Sequence, residues 1–430
     1  MLFYPKKYYF TESLLAKEIK RLQVSGNETG FPGYEGVMEL DDDQVNAMNA
    51  LSKEGIKIIT GGPGSGKTTL IRELIAAYKK LFPKFPFFLS APTGRAAVRI
   101  QESSGFPAVT IHKLLGVRPY SSDGEISLKY TKENKLPRGL FIIDEMSMVG
   151  EEMFLKLLSA IPDRSIVILS GDPRQLESVD PGNVLSDLIR SNVIETYHLT
   201  KIHRQGSNSA IVRNYYDIRD YNFQKVVSDA SFSVINVKTR SDALSAIMDI
   251  GRKYDSPDNP YSFQILSFTK KGELGKDVLN HQFILQKKEG GTPLYFGRSS
   301  YSVGDKIMMT KNNYKKDYWN GDVGLITNVS DEYMEALFYN GIRTIGRDSL
   351  KDMDHAYVCT VHKAQGSEYD TVLVVIDDSY KGMLYNSIIL TAVTRAKKRA
   401  FIVSVGNSFK KAVETRRDCE RVTGLAELLN

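Results

Sequence analysis

The nine residues GGPGSGKTT, Gly61 to Thr69, constrain this chain more than any other stretch. They fit the pattern G-x-x-x-x-G-K-[ST] without a mismatch. Ile56, Ile58, Ile59 and Thr60 read as a strand before them, and Leu70 to Leu81 reads as a helix after them. A strand that passes through a glycine-rich turn into a helix aims backbone N–H groups at a single point at the helix N-terminus, where an anion is welcome. Gly61, Gly62, Pro63, Gly64, Ser65, Gly66, Lys67, Thr68 and Thr69 therefore form a candidate triphosphate cradle. Lys67 suits the β- and γ-phosphates, and the Thr68 hydroxyl suits a magnesium ion (Mg2+). The chemistry implied is binding and hydrolysis of a nucleoside triphosphate.

The rest of the chain continues the same architecture. Short apolar strands are expected at 56–60, 87–91, 140–143 and 166–170, each followed by a helical or loop segment, the signature of a parallel α/β sheet. A second series is expected at 263–268, 371–376 and 400–405, so two α/β units joined near residue 200 are predicted. Tyr8 to Val24 has the spacing of an amphipathic helix, and 25–36 reads as a linker. Two insertions interrupt the rhythm. Residues 117–137 read as a β-hairpin, and 301–350, with close turn signals at VGDKIMM and NGDVGLITNV, read as a small β-barrel.

Composition narrows the function classes. At 430 residues, with 42% hydrophobic and 25% charged content, the chain is that of an ordinary globular protein. The formal charge of +6 permits a polyanionic partner without requiring one. Cys359 and Cys419 form no metal-binding spacing, which fits a reducing cytoplasm. No apolar run approaches the roughly 18 residues of a membrane span, and MLFYPKKYYF lacks a signal-peptide layout. A cytoplasmic location, in a bacterium or a phage-infected cell, is expected, with no membrane partner.

A phosphate grip needs a metal holder and a group that orients water. LFIIDEMSM (140–148) offers both at the end of a buried strand: Asp144 as a metal ligand and Glu145 as the base. Gln175, in SGDPRQLESVDPG (170–182), could contact the γ-phosphate. Arg204 and Arg395 are candidates for the positive charge that phosphoryl transfer requires.

Taken in order, these strings resemble those of a superfamily 1 helicase of the RecD-like group, which includes the phage Dda helicase. LDDDQ with Gln44 resembles the adenine-reading glutamine motif, and GGPGSGKTT resembles motif I. SAPTGRAA (90–97) and VTIHKLL (109–115) resemble motifs Ia and Ib, and IIDEMSM and SGDPRQLESVDPG resemble motifs II and III. LTKIHRQ, TVHKAQGSEYDTVLVV (360–375) and LTAVTRAKKR resemble motifs IV, V and VI. The resemblance implies two RecA-like P-loop NTPase domains, with a β-hairpin insertion and a small SH3-type β-barrel insertion. The implied boundaries are an N-terminal helix and linker at 1–37, domain 1A at 38–200 with a strand-separating pin at 117–137, and domain 2A at 201–430 with the barrel at 301–350.

The same resemblance implies roles. Lys67, Thr68, Asp144, Glu145, Gln175, Arg204 and Arg395 would form the ATP site, with Gly366 and Glu368 near the γ-phosphate and ribose. Pro92, Thr93, Thr110, His112, Thr360, His362 and Lys363 would face single-stranded DNA. Tyr120 is the candidate pin contact. In KNNYKKDYW (311–319), Lys311, Lys315 and Lys316 interleave with Tyr314, Tyr318 and Trp319, which suits phosphates and stacked bases. The implied activity is ATP-dependent 5′→3′ movement on single-stranded DNA with strand separation at single-strand/duplex junctions, carried out by a monomer. ATPase activity is expected to be weak without DNA.

Two departures stand out. Leu390 occupies a position where many relatives carry tyrosine. Only about forty residues precede the glutamine motif, so a nearly bare motor is expected, with YYFTESLLAKEIKRL resembling the tail of a larger N-terminal region. An RNA-directed helicase of the same superfamily and an ATP-switched clamp that does not unwind remain open alternatives.

Overall fold

Alternating side chains dictate the layers. In Leu140–Ile143, Phe141 and Ile143 point into one apolar cluster, and Leu140 and Ile142 into another. Ile166–Gly171 repeats the pattern, with Val167 and Leu169 on one face and Ile166 and Ile168 on the other. A strand with both faces apolar must lie in a sheet covered on both sides, as parallel sheets are.

The computed structural model describes residues 5–24, 26–33, 36, 38–118, 127–202, 209–256, 259–286, 293–297, 299–311, 313, 316, 318–338, 341–416 and 421–430. The chain divides into two compact units, Met1–Ser207 with Asp418–Asn430, and Asn208–Arg417.

In the first unit, helices α1 (Lys6–Val24) and α2 (Asp42–Ala47) precede strand β1 (Gly55–Gly61) and helix α3 (Lys67–Leu81). Then come β2 (Phe87–Ala91), α4 (Gly94–Ser104), β3 (Ala108–Thr110) and α5 (Ile111–Leu114). β4 (Val117–Arg118) and β5 (Ser127–Leu128) follow, then β6 (Leu140–Ile143), α6 (Glu151–Ala160), β7 (Ile166–Gly171), α7 (Val184–Arg190) and β8 (Thr196–Leu199). Six strands form one parallel sheet in the order β3-β2-β6-β7-β1-β8. The chain leaves β1 and re-enters the sheet at β2, beyond β7 and β6. The crevice at the C-terminal ends of the strands is where such sheets take ligands.

The second unit contains α8 (Ala210–Arg219), β9 (Phe232–Val237), α9 (Arg240–Tyr254), β10 (Phe263–Ser267) and α10 (Lys276–Gln286). A β insertion follows: β11 (Leu294–Phe296), β12 (Ser299–Tyr301), β13 (Lys306–Met309), β14 (Val323–Val329), β15 (Tyr333–Phe338), β16 (Gly341–Gly346) and β17 (Met353–His355). The parallel sheet then resumes with β18 (Val358–Thr360), β19 (Tyr369–Ile376), α11 (Asn386–Thr394), β20 (Ala396–Val405) and α12 (Ser408–Glu414). Its order is β18-β10-β19-β20-β9, all parallel. The insertion is an antiparallel sheet, β16-β15-β14-β13-β17, over its own core of Ile307, Met309, Ile326, Met334, Phe338 and Ile345. Buried Lys306 fastens it to the parallel sheet by donating to the Phe263 carbonyl at 2.7 Å.

Two details differ from the sequence expectations, and a third falls partly outside the described residues. Of the expected hairpin at 117–137, residues 119–126 lie outside the described residues; the described pairs are Val117–Leu128 and Arg118–Ser127, after which Lys129 N donates to Leu115 O. The antiparallel sheet runs past residue 350 to His355. The C-terminal helix α13 (Leu425–Leu429) joins the first unit, not the second as expected from the 201–430 boundary: Leu425 and Leu429 share a core with Leu15, Ile19 and Leu22 of α1. Its anchor is buried Glu12, whose two carboxylate oxygens accept from Gly424 N at 3.1 and 3.0 Å.

Candidate nucleotide and nucleic-acid sites

The phosphate loop follows from its residue types. Gly64 and Gly66 adopt φ of 77° and 80°, a region that side-chain-bearing residues rarely enter. At Gly61 a Cβ would stand 2.5 Å from Ser65 Oγ and 2.9 Å from Leu199 O, so only glycine lets the loop close. Ser65 Oγ donates to Gly62 O at 2.9 Å, and Lys67 Nζ donates to Gly61 O and Gly62 O at 2.6 and 3.0 Å. Helix α3 starts at Lys67, which places Thr68 and Thr69 in its first turn.

Gln44 reaches this loop through a capping box. Asp41 caps α2 by accepting from Gln44 N, Gln44 Oε1 accepts from Asp41 N at 3.1 Å, and Gln44 Nε2 donates to Gly66 O at 3.4 Å. Asp43, next to it, accepts from the amide and hydroxyl of Thr200 at 2.8 and 2.6 Å, which holds its carboxyl below the usual range. The start of the LTKIHRQ string is thus tied to the glutamine motif. Arg204 and Tyr120 lie outside the described residues.

Asp144 and Glu145 leave the end of β6 in different environments. Asp144 is buried and accepts from Ser170 Oγ on β7 at 2.8 Å. Burial first, and then the neighbouring Glu145 charge, push its carboxyl up; Arg99, Ser170 and Lys67 oppose this. Glu145 sits at φ 55°, in the left-handed region, and its Oε1 accepts from Arg99 Nη2 on α4 at 2.5 Å. Such backbone conformations cost of order 1–3 kcal/mol and collect at functional positions. Gln175 is held by Asp172, whose Oδ2 accepts from its Nε2 at 3.2 Å.

In the second unit, Arg395 caps the C-terminus of α11 and is buried. It donates to Thr391 O at 3.1 Å, Thr394 Oγ1 at 2.9 Å and Ser367 O at 3.1 Å. The motif VI arginine is thereby joined to the motif V loop, where Gly366 takes φ 73° and Glu368 is half-buried. Leu390, the departure noted above, is fully buried in α11.

The residues assigned to DNA occupy strand ends. Thr93, after Pro92 at the end of β2, caps α4 by accepting from Ala96 N at 3.2 Å. Thr110 caps α5 and Thr360 the short turn at 361–364, each accepting from a lysine amide, Lys113 at 3.1 Å and Lys363 at 3.4 Å. Half-buried His112 has its pKa lowered, by burial first and then by Lys156, so it is neutral near pH 7. His362 is half-buried, and Lys363 Nζ donates to Asn320 Oδ1 of the insertion at 2.6 Å.

One residue of the 311–319 segment, Tyr318, does not match its expected role. Tyr318 is buried in the core of the antiparallel sheet and cannot stack on a base. Lys311 pairs with Asp352 at 2.8 Å, and Lys316 with Asp348 at 2.9 Å, which reduces the local positive charge. Tyr314 and Lys315 lie outside the described residues. Arg99, Ser170 and Asn320 escaped sequence reasoning, since each acts on a residue brought close only by the fold.

A phosphate loop at the end of one parallel strand, and buried Asp144 followed by half-buried Glu145 at the end of another, define a P-loop nucleoside triphosphatase. The comparisons narrow the class. An "AAA domain" model matches residues 39–231, and a "UvrD-like helicase C-terminal domain" model matches 355–403. The ATP-dependent RecD2 DNA helicase of Deinococcus radiodurans is 30% identical over 390 residues, 90% of this chain and 52% of that protein. The RecBCD enzyme subunit RecD of Mycolicibacterium smegmatis is 29% identical, over 100% of this chain and 82% of that protein. This chain thus spans about half the length of the first relative. Among solved structures, Bacteroides Pif1 bound to single-stranded DNA shares the fold, with a TM-score of 0.53 and 22% identity over 87% of this chain and 94% of that one. In sequence the chain is thus similar to the RecD-like group of superfamily 1 helicases along nearly its whole length.

Proposed function

We propose that this chain is an ATP-driven motor that moves 5′→3′ on single-stranded DNA and separates strands at single-strand/duplex junctions, acting as a monomer. The observation that carries the reading is that one chain contains two parallel-sheet units, each bearing a different part of the ATP-site constellation. The first holds the Lys67 loop with Asp144 and Glu145, and the second holds Arg395 fastened to the motif V loop. The name of the Deinococcus relative, an ATP-dependent DNA helicase, supports the activity and the substrate.

In this reading Lys67 moves from the loop carbonyls to the β/γ-phosphates, and the loop amides receive the rest of the charge. Glu145 orients the attacking water, Gln175 senses the γ-phosphate, and Arg204 and Arg395 neutralise the transferring group. Gly366 and Glu368 lie near the γ-phosphate and ribose, and Gln44 reads the adenine. Thr68 and Asp144 are oxygen donors of the kind magnesium prefers. Among the described residues no cluster of three or more Asp, Glu, His or Cys could hold a metal alone, so phosphate and water oxygens would complete its shell. The ion would supply charge neutralisation on the phosphate oxygens.

Thr93, Thr110, His112, Thr360, His362 and Lys363, with Pro92, contact the strand through hydroxyl, imidazole and ammonium groups that suit phosphate and sugar and carry no base code. Residues 117–137 with Tyr120 act as the pin, and the antiparallel sheet is the SH3-type module. No helix among the described residues is long and apolar enough to cross a membrane; a cytoplasmic location is part of the proposal.

The test is unwinding of partial duplexes bearing a 5′ or a 3′ single-stranded tail. Opening from the 5′ tail alone, with amplitude linear in protein concentration, is expected. Opening from the 3′ tail alone refutes the polarity. DNA-stimulated hydrolysis with neither substrate opened makes the chain a clamp or translocase, and stimulation by RNA alone changes the track.

A further inference from the structure

Glu145, the carboxylate assigned to the attacking water, is held by a cation that the motor reading gives no task. Arg99 Nη2 donates to Glu145 Oε1 at 2.5 Å, and the two side chains are 26% and 12% exposed. A carboxylate oxygen committed to a guanidinium is a weaker acceptor for a water proton, and its side chain is fixed in direction. The pair lies apart in the sequence but close in the fold: Arg99 is on α4, and Glu145 follows β6, the strand paired with β2 ahead of α4.

Helix α4 links this contact to the nucleic-acid face. Thr93 caps its N-terminus, through Ala96 N at 3.2 Å, and Ala97 N donates to Thr93 O at 3.0 Å. Thr93 and Arg99 lie six residues apart, about 9 Å along a helix at 1.5 Å per residue. A helix this short moves as a rigid body, so a displacement at Thr93 is transmitted to the guanidinium. A 2.5 Å charge-assisted bond is steeply sensitive to such a displacement.

We propose that Arg99 is a positioning residue that couples nucleic-acid binding to hydrolysis. It holds Glu145 away from the attacking water until a strand engages the N-terminus of α4, and the shift of α4 then releases the carboxylate. The inference rests on the reading of Glu145 as the base. Weak hydrolysis without DNA then has a source inside the first unit, in addition to the need for groups from the second.

The test is steady-state ATPase activity of Arg99→Ala, Arg99→Gln and Arg99→Lys, with and without a thymidine oligonucleotide. Loss of one charge-assisted hydrogen bond corresponds to roughly tenfold in rate. Arg99→Ala and Arg99→Gln are expected to raise the DNA-free kcat by about that factor, leave KM for ATP unchanged and lower the fold-stimulation by DNA equally. Arg99→Lys, which keeps the cation, is expected to retain most of the restraint. A kcat lowered equally with and without DNA, a raised KM in both Ala and Gln variants, or an unchanged stimulation ratio overturns the proposal. Glu145→Gln run alongside separates the two levels: turnover by that variant at the parent rate removes the base assignment itself, whatever Arg99 does.

Discussion

Replacing Glu151 by glutamine should remove a loss of local stability that the parent chain suffers between about pH 6 and 8. Glu12, Glu151 and Asp187 are all buried where α1, α6, α7 and the C-terminal segment meet. Burial first, then the charge of Glu12 and a hydrogen bond shared with it, push the Glu151 carboxyl up to about 8. A raised acid binds its proton in the fold but not in the unfolded chain. Its stabilising contribution is therefore complete below the ordinary carboxylate range and is lost as pH rises towards 8. Each pH unit in that window removes about 1.4 kcal/mol, so two units remove up to about 2.7 kcal/mol.

Two other groups do not confuse the window. Asp187, pushed up to about 6, mainly by burial, has spent its effect below it. Lys57, pulled down to about 8 by burial, acts with the opposite sign above it. In Glu151→Gln the side-chain amide donates to Glu12 at every pH, as the protonated acid does. The assay is hydrogen exchange of residues 421–430, whose Gly424 amide is held by Glu12, corrected for intrinsic rate and compared between parent and variant. Protection in the parent should fall by up to roughly a hundredfold from pH 6 to 8 relative to the variant. Equal pH slopes in the two proteins would refute a proton shared between Glu12 and Glu151.

Two further outcomes follow from the sites. Ser170→Ala removes the hydrogen bond that favours ionised Asp144, so half-saturation of the ATPase by magnesium should rise by about tenfold, more at pH 6.5 than at pH 8. An unchanged magnesium requirement would count against Asp144 as the ligand. Deleting 120–126 from the tip of the proposed pin should leave DNA-stimulated hydrolysis intact and abolish opening of the 5′-tailed duplex; unwinding at the parent rate would exclude the pin.

What was legible in the sequence was whatever its physics makes local. GGPGSGKTT specifies its own turn, and the apolar runs at 56–60, 87–91, 140–143 and 166–170 are continuous because both faces of those strands are covered. The strands that escaped are short or one-sided. Ala108–Thr110 has three residues, and Phe232–Val237 is an edge strand, mostly half-buried. Tyr318 was misjudged because lysine-tyrosine composition is the same for a base-stacking loop and for a turn whose aromatic ring enters a core. Arg99 and Glu145, 46 positions apart, carry no local signal of their contact.

The return of the last helix to the first unit carries a consequence for synthesis. Leu425 and Leu429 complete the cluster built by Leu15, Ile19 and Leu22, while all of 208–417 lies between them in the chain. A ribosome therefore delivers the second unit whole before it delivers the final wall of the first. The nascent first unit must wait with the α1 side of its core partly open until residues 425–429, translated after the whole second unit, close it.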